Sequence, residues 1–282
     1  MDFRKIGVVG AGTMGNGIAQ AFAQAGYDVA LTDVAQAQLD RAMAAVAGSY
    51  DRLVKKQKMS EADKAAALAR IRPATDLAAV KDCDLVIEAA TENLELKLKI
   101  FRQLDELAAP GAVIASNTSS ISITRLAAAV KRPDKVIGMH FFNPVPVMAL
   151  VELIRGLQTS QETYDAVQAA AKKIGKSPVQ VRNSPGFVVN RMLCPMINEA
   201  IFALGEGLAT AEQIDEAMKL GANHPIGPLA LADLVGLDVE LAVMQVLFEG
   251  FKDPKYRAAP LLVEMVEAGY LGRKTKRGFF RY

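Results

Sequence analysis

The stretch Ile6-Gly-Val-Val-Gly10-Ala-Gly12-Thr13-Met14-Gly15 decides the fold. An apolar strand runs straight into a turn with glycine at its first, third and sixth positions, and a helix opens at Thr13. In that context the first glycine permits a tight turn and the second lets a pyrophosphate approach the backbone. The third lets the helix pack closely on the strand. The anion then rests on free N–H groups at the positive end of the helix. The second strand, Asp28–Leu31, leads to Asp33, 18 positions after Gly15, where a carboxylate accepts hydrogen bonds from the adenosine ribose. Its charge repels a 2′-phosphate, and Val34-Ala-Gln36 supplies no arginine to offset it, so NAD is expected rather than NADP.

Outward from this turn, short β-rich runs alternate with helical patterns. The runs are Lys5–Val9, Asp28–Leu31, Asp84–Ile87, Ala112–Ala115 and Val136–Gly138. The helical patterns are Thr13–Ala25, Gln36–Lys58, Leu94–Leu107 and Ser122–Val130. Such alternation predicts an α/β, Rossmann-type domain with a mostly parallel sheet. Two further runs, Ala149–Arg155 and Pro178–Arg182, flank a helix over Glu162–Ile174 and close the sheet. After Asn183-Ser-Pro-Gly186 the pattern becomes wholly helical: Val188–Leu204, Ala211–Leu220, Leu229–Val235, Asp238–Phe251 and Ala259–Ala268. The expected division is an NAD-binding domain over 1–184 and an all-helical C-terminal domain over 185–282. Apolar helices in the second domain suit a substrate cleft and the interface of a homodimer.

Composition narrows the function classes. A net charge of +2 gives no general electrostatic case for nucleic acid or an anionic membrane surface as partner. No stretch approaches the ~20 apolar residues needed to span a bilayer. Cys83 and Cys194 are far apart and in no metal-ligand spacing, which suits buried free thiols in a reducing compartment. The first residues lack the pattern of a secretory leader, so a cytoplasmic protein is expected.

Only His140 and His224 could titrate near neutral pH as imidazoles. His140 follows Val136-Ile-Gly-Met139 at a strand end, where open α/β sheets bind ligands. Glu152 lies in the next β-like run among apolar neighbours, and a buried carboxylate needs a partner. A His–Glu pair would meet that need and orient an acid/base imidazole. The residues equally accommodate a solvent-facing Glu152 and a core His140. His224, in the loop Gly221-Ala-Asn-His-Pro-Ile-Gly-Pro228, suits a structural role.

Several long motifs occur together and in order. They are the glycine turn, Ala115-Ser-Asn-Thr-Ser-Ser120, Gly138-Met-His-Phe-Phe-Asn-Pro144 and Pro185-Gly-Phe-Val-Val-Asn-Arg191. The loop around His224 and the ending Leu271-Gly-Arg-Lys-Thr-Lys-Arg-Gly-Phe-Phe280 complete the set. Over its whole length the chain resembles the stand-alone (S)-3-hydroxyacyl-CoA dehydrogenases, above all the bacterial 3-hydroxybutyryl-CoA branch. The resemblance implies that His140 is the base for the substrate 3-hydroxyl and Glu152 its orienting carboxylate. It implies that Ser119 and Asn190 hydrogen-bond substrate oxygens and that Asn143 lies near nicotinamide and substrate. Glu92, Lys97 and Lys274 match cofactor-contacting positions. Thr118 and Ser119 could also simply cap the helix that follows.

For the CoA moiety, Ser49, Arg52 and Lys56 would share one helix face at i, i+3 and i+7. Such a stripe offers charge-assisted contacts to phosphates. Ser49 and Lys56 align with CoA-contacting positions of the family, and Arg52 joins them by helical geometry. The rivals are a related hydroxyacid dehydrogenase acting on a substrate without CoA, which would generally use a lysine base, and a non-catalytic NAD-binding relative.

Overall fold

A computed structural model describes residues 2–282 as two compact units, one ending at Asn183 and the other spanning Ser184–Tyr282. The first unit holds eight strands: β1 (Lys5–Val9), β2 (Asp28–Thr32), β3 (Ile71–Ala74), β4 (Leu85–Glu88), β5 (Val113–Ser116), β6 (Val136–Phe141), β7 (Leu150–Arg155) and β8 (Ser177–Arg182). They form one sheet in the order β3-β2-β1-β4-β5-β6-β7-β8. Every pairing is parallel except β6 with β7. The central strands are buried along their whole length, which is why they read as continuous apolar runs rather than alternating ones. The strand order reverses at β1, flanked by β2 on one side and β4 on the other, so a crevice opens beyond their carboxyl ends.

Six helices connect these strands: α1 (Thr13–Gln24), α2 (Gln36–Lys55), α3 (Glu61–Ala69), α4 (Leu94–Leu107), α5 (Ile123–Ala127) and α6 (Gln161–Lys173). α3 and β3 were not expected from the sequence. Pro73 interrupts the Ile71-Arg-Pro-Ala74 run, yet β3 is an edge strand, where a missing N–H is tolerated. Ser60 starts α3 by accepting a hydrogen bond from the Asp63 amide. Two expected helices are shorter than anticipated. α2 stops at Lys55 because Gln57 turns left-handed, with φ of 55°. α5 is confined to five residues, and Ser122 caps it by accepting from the Arg125 amide. β6 instead runs on through His140 to Phe141.

The second unit contains α7 (Val189–Gly205), α8 (Ala211–Gly221), α9 (Pro228–Val235), α10 (Leu237–Phe251) and α11 (Pro260–Glu267). Ile197 and Ile201 of α7 pack with Leu229, Ala232, Leu237 and Leu262, all fully buried. Asn198, a polar interruption in the α7 apolar run, bridges its own core: Nδ2 donates to the Arg257 carbonyl and Oδ1 accepts from the Ala259 amide. No helix among the described residues is long and apolar enough to cross a membrane.

Candidate active site

The glycine turn explains itself sterically. Gly10 has φ of +100°, and a Cβ there would lie 2.7 Å from the Ala89 carbonyl oxygen. A Cβ on Gly15 would fall 1.7 Å from the Gly10 carbonyl oxygen, so strand and helix meet only through glycine. Gly12 is different: a Cβ would meet no protein atom within 4 Å, so the space above it is open for a ligand. Gly12 is also the N-cap of α1 and offers no side-chain cap, and no acidic residue stands in the first turn beside Thr13 and Met14. The positive helix end is therefore presented to that space.

Asp33 follows β2 and holds the turn in place. One carboxylate oxygen accepts from the Ala11 amide at 2.9 Å and the other from the Ala35 amide at 3.1 Å. Each oxygen keeps a second lone pair for a ribose hydroxyl. Gly10, Gly12, Asp33, Ala89, Ile100 and Gln103 help to line a cavity of about 550 Å³ at this end of the sheet. A glycine cradle, an uncapped helix end and a carboxylate at the mouth of this cavity fit the pyrophosphate and adenosine of a dinucleotide.

Three strands away, β6 and β7 run antiparallel with His140 directly opposite Glu152. Directly opposed residues project on the same face of a sheet, close enough to interact. His140 Nδ1 lies 2.8 Å from Glu152 Oε2, and the two residues are 6 % and 1 % exposed. A solvent-facing Glu152 is thereby excluded. The Phe142 ring lies against the imidazole, with centroids 4.6 Å apart. Asn143, exposed on the following loop, precedes a cis proline. Lys176 anchors that loop through the Val145 and Met148 carbonyls.

Ser119 sits three residues beyond β5, whose last residue, Ser116, pairs with Gly138 of β6, two residues before His140. It does not cap α5; Ser122 does. The loop is held instead by Glu92. Its Oε1 accepts from the amides of Ser119 and Ser120 at 3.0 and 3.2 Å, and from the hydroxyls of Thr118 and Ser120. Burial pushes the Glu92 carboxyl pKa up, but the Lys97 charge and these hydrogen bonds outweigh it and hold it below the usual range.

Lys97 is 1 % exposed, unlike most lysines at the start of a helix. Its ammonium reaches Glu88 Oε1 at 2.6 Å, the Ala90 carbonyl at 3.1 Å and Glu92 Oε2 at 3.3 Å. Its charge is thus met by two hydrogen bonds and by a second carboxylate, that of Glu92. Thr118 joins this cluster, and Glu88 and Ser116, which the sequence does not single out, complete it. The available signal was the one that marked Glu152: an acid inside an apolar strand.

The remaining candidates are dispersed. Ser49 accepts from Gln20 Nε2 at 2.9 Å, while Arg52 and Lys56 are exposed. Lys56 is the C-cap of α2 rather than a helical residue, so the expected i, i+3, i+7 face ends one residue short. Asn190 stands in the first turn of α7, and Lys274 pairs with Asp238 of α10; both belong to the helical unit. The α/β unit by itself gathers the glycine turn, the Ser119 loop and the His140–Glu152 pair at the carboxyl end of its sheet.

A profile of the 3-hydroxyacyl-CoA dehydrogenase NAD binding domain matches residues 5–184, and one of the C-terminal domain of the same enzymes matches residues 186–282. The chain belongs to the 3-hydroxyacyl-CoA dehydrogenase family. This family membership makes it an NAD-dependent oxidoreductase. The chain is 54 % identical over 278 residues to the 3-hydroxybutyryl-CoA dehydrogenase of Clostridioides difficile, covering 99 % of each. It is 55 % identical over 279 residues to that of Bradyrhizobium diazoefficiens, covering 99 % of this chain and 95 % of the relative. The solved structure of (S)-3-hydroxybutyryl-CoA dehydrogenase PaaH1 from Ralstonia eutropha superimposes with a TM-score of 0.97 at 64 % identity, covering 100 % and 99 % of the two chains.

Proposed function

We propose that this family member catalyses the reversible oxidation of (S)-3-hydroxyacyl-CoA, 3-hydroxybutyryl-CoA in particular, to the 3-oxoacyl-CoA, with His140 and Glu152 as the acid/base pair. The observation that carries this reading is the 2.8 Å contact between His140 Nδ1 and Glu152, buried at the carboxyl end of β6. A carboxylate on Nδ1 favours the tautomer protonated there and makes Nε2 the basic nitrogen. His140 then takes the 3-hydroxyl proton during oxidation and returns it during reduction, while Glu152 steadies the imidazolium that forms. NAD, when bound, would supply the redox chemistry by exchanging a hydride, the C3 hydrogen with its two electrons, with the substrate.

The rest of the chain positions the substrate. Ser119 and Asn190 hydrogen-bond its oxygens, Asn143 borders the reacting end, and Ser49, Arg52 and Lys56 receive the phosphates of CoA. Glu92, Lys97 and Lys274 contact the cofactor. The protein works in the cytoplasm as a homodimer built on the helical unit. That assignment is supported by the exposed apolar side chains of Met192, Leu208, Leu220 and Leu234 on that unit.

Oxidation of NADH should be fast with acetoacetyl-CoA and at least about a hundredfold slower with free acetoacetate, because binding energy from a remote handle raises turnover as well as affinity. Equal rates with the two would overturn the CoA assignment.

A further inference from the structure

The proposed mechanism gives no role to Glu88, at the centre of a buried charged cluster. Glu88 ends β4 between Val9 of β1 and Ser116 of β5, and it is completely inaccessible to solvent. Packing alone would call for an apolar residue at this place, since an unpartnered carboxylate is strongly disfavoured in the interior. Glu88 is fully partnered. Oε1 accepts from Lys97 at 2.6 Å and from the Ala90 amide at 2.7 Å; Oε2 accepts from the Ser116 hydroxyl at 2.7 Å.

Two arms lead from it to the reacting end of the sheet. Through Lys97 it reaches Glu92, which gathers the amides of Ser119 and Ser120. Through Ser116 it reaches Thr118, whose amide donates to the Ser116 hydroxyl at 3.2 Å. The Glu88 carbonyl also accepts from the Asn117 amide at 2.7 Å. Asn117 Oδ1 in turn accepts from the Phe141 amide at 2.9 Å, next to His140. Glu88, Lys97, Ser116 and Thr118 are each no more than 1 % exposed, so solvent cannot replace a lost link.

We propose that Glu88 is a positioning residue for the reaction: through Lys97 and Ser116 its carboxylate sets the loop carrying Ser119. Lys97 accordingly holds Glu92 and the loop. The inference rests on the dehydrogenase reading above, and its test separates the two.

Glu88→Gln keeps the shape and removes the charge that fixes Lys97. In the folded variant, kcat with acetoacetyl-CoA should fall at least about tenfold. KM and the Kd of NADH, read by its fluorescence, should change less than about threefold. Hydrogen exchange of the peptide spanning residues 116–121 should quicken at least about tenfold as its bonds to Glu92 loosen. A kcat within twofold of the parent (~2), a loss expressed wholly as weaker NADH binding, or unchanged exchange in that peptide would each overturn the proposal. Should Glu88→Gln not fold, Ser116→Ala cuts one arm and leaves the Lys97 pair intact. It should lower kcat about threefold or more with KM held, and an unaltered kcat overturns the proposal. A parent enzyme inactive on acetoacetyl-CoA would sink the substrate reading, and the exchange measurement would still decide the role of Glu88.

Discussion

In the α/β unit the buried acids Glu88 and Glu152 stand at the carboxyl end of the sheet, and beside the Ala90 amide their partners are side chains that carry or hold reacting groups. In the helical unit the buried acids Asp215 and Asp233 bond to backbone. Asp215, on α8, accepts from the Leu229 and Ala230 amides at 2.8 and 2.9 Å. It thereby caps α9 from outside, where Gly227 has no side chain to do so. A Cβ on Gly227 would strike that carboxylate at 2.2 Å. Asp233 accepts from the amides of Phe279 and Phe280 and from the Tyr282 hydroxyl, tying the chain end to α9. Similar carboxylates at similar depth therefore serve different ends. Donors on side chains can be re-aimed toward a ligand, whereas donors on backbone only complete a fold.

The comparison breaks first on His140→Ala. Turnover should fall at least about a hundredfold, as loss of a general acid/base usually does. NADH affinity should stay close to that of the parent. Steady-state kinetics beside fluorescence titration read both quantities. Near-normal turnover would remove His140 from the mechanism.

Asp215→Ala should do the reverse. It strands two backbone amides at a helix start and removes a charge that favours that end, so it should cost roughly 2 kcal/mol in denaturant unfolding. At saturating substrate, well below the unfolding transition, kcat should hold within about twofold. A variant as stable as the parent but crippled in turnover would mean that the helical unit also spends its buried acids on chemistry.

The two units were not equally legible in the sequence. The glycine turn could be read because its demands are local: Gly10 and Gly15 have no room for a Cβ whatever surrounds the domain. α4 spans the expected Leu94–Leu107, since Asn93 caps it by accepting from the Leu96 amide and its apolar spacing is helical. Glu152 could be suspected from its residue type, but its place opposite His140 depends on the antiparallel pairing of β6 with β7, which no local pattern encodes. Glu88 escaped because the strand was expected to end at Ile87, one residue short. Lys97 was assigned to the cofactor by resemblance, and only the fold brings it onto Glu88 and Glu92. α3 and β3 were missed for another reason. Alanine-rich helices and proline-bearing edge strands lack the periodicity that betrays a buried face.

Glu240 gives the comparison its finest test, because it belongs to neither pattern. On α10, it is completely buried, and among the described residues neither carboxyl oxygen has a nitrogen or oxygen hydrogen-bond partner. Burial pushes its pKa up to about 8, and the Cys194 thiol beside it offsets this only in part. Burial also raises the thiol well above its ordinary range, so Cys194 stays protonated at neutral pH. The sign follows from proton counts. Between the ordinary carboxyl value of 4.5 and about 8, the folded chain keeps a proton on Glu240 that the unfolded chain releases. Stability from this group is therefore complete below 4.5 and lost as pH rises through that window, at a rate of up to about 1.4 kcal/mol per pH unit. Glu240→Gln has no proton to lose. Its melting temperature relative to the parent should climb by a few degrees as the buffer is raised from about pH 6 to 7, an effect of about 1.4 kcal/mol on a chain of this size. A difference constant across that range would mean that Glu240 is ionised in the folded protein and that the helical unit, too, finds partners for every acid it buries.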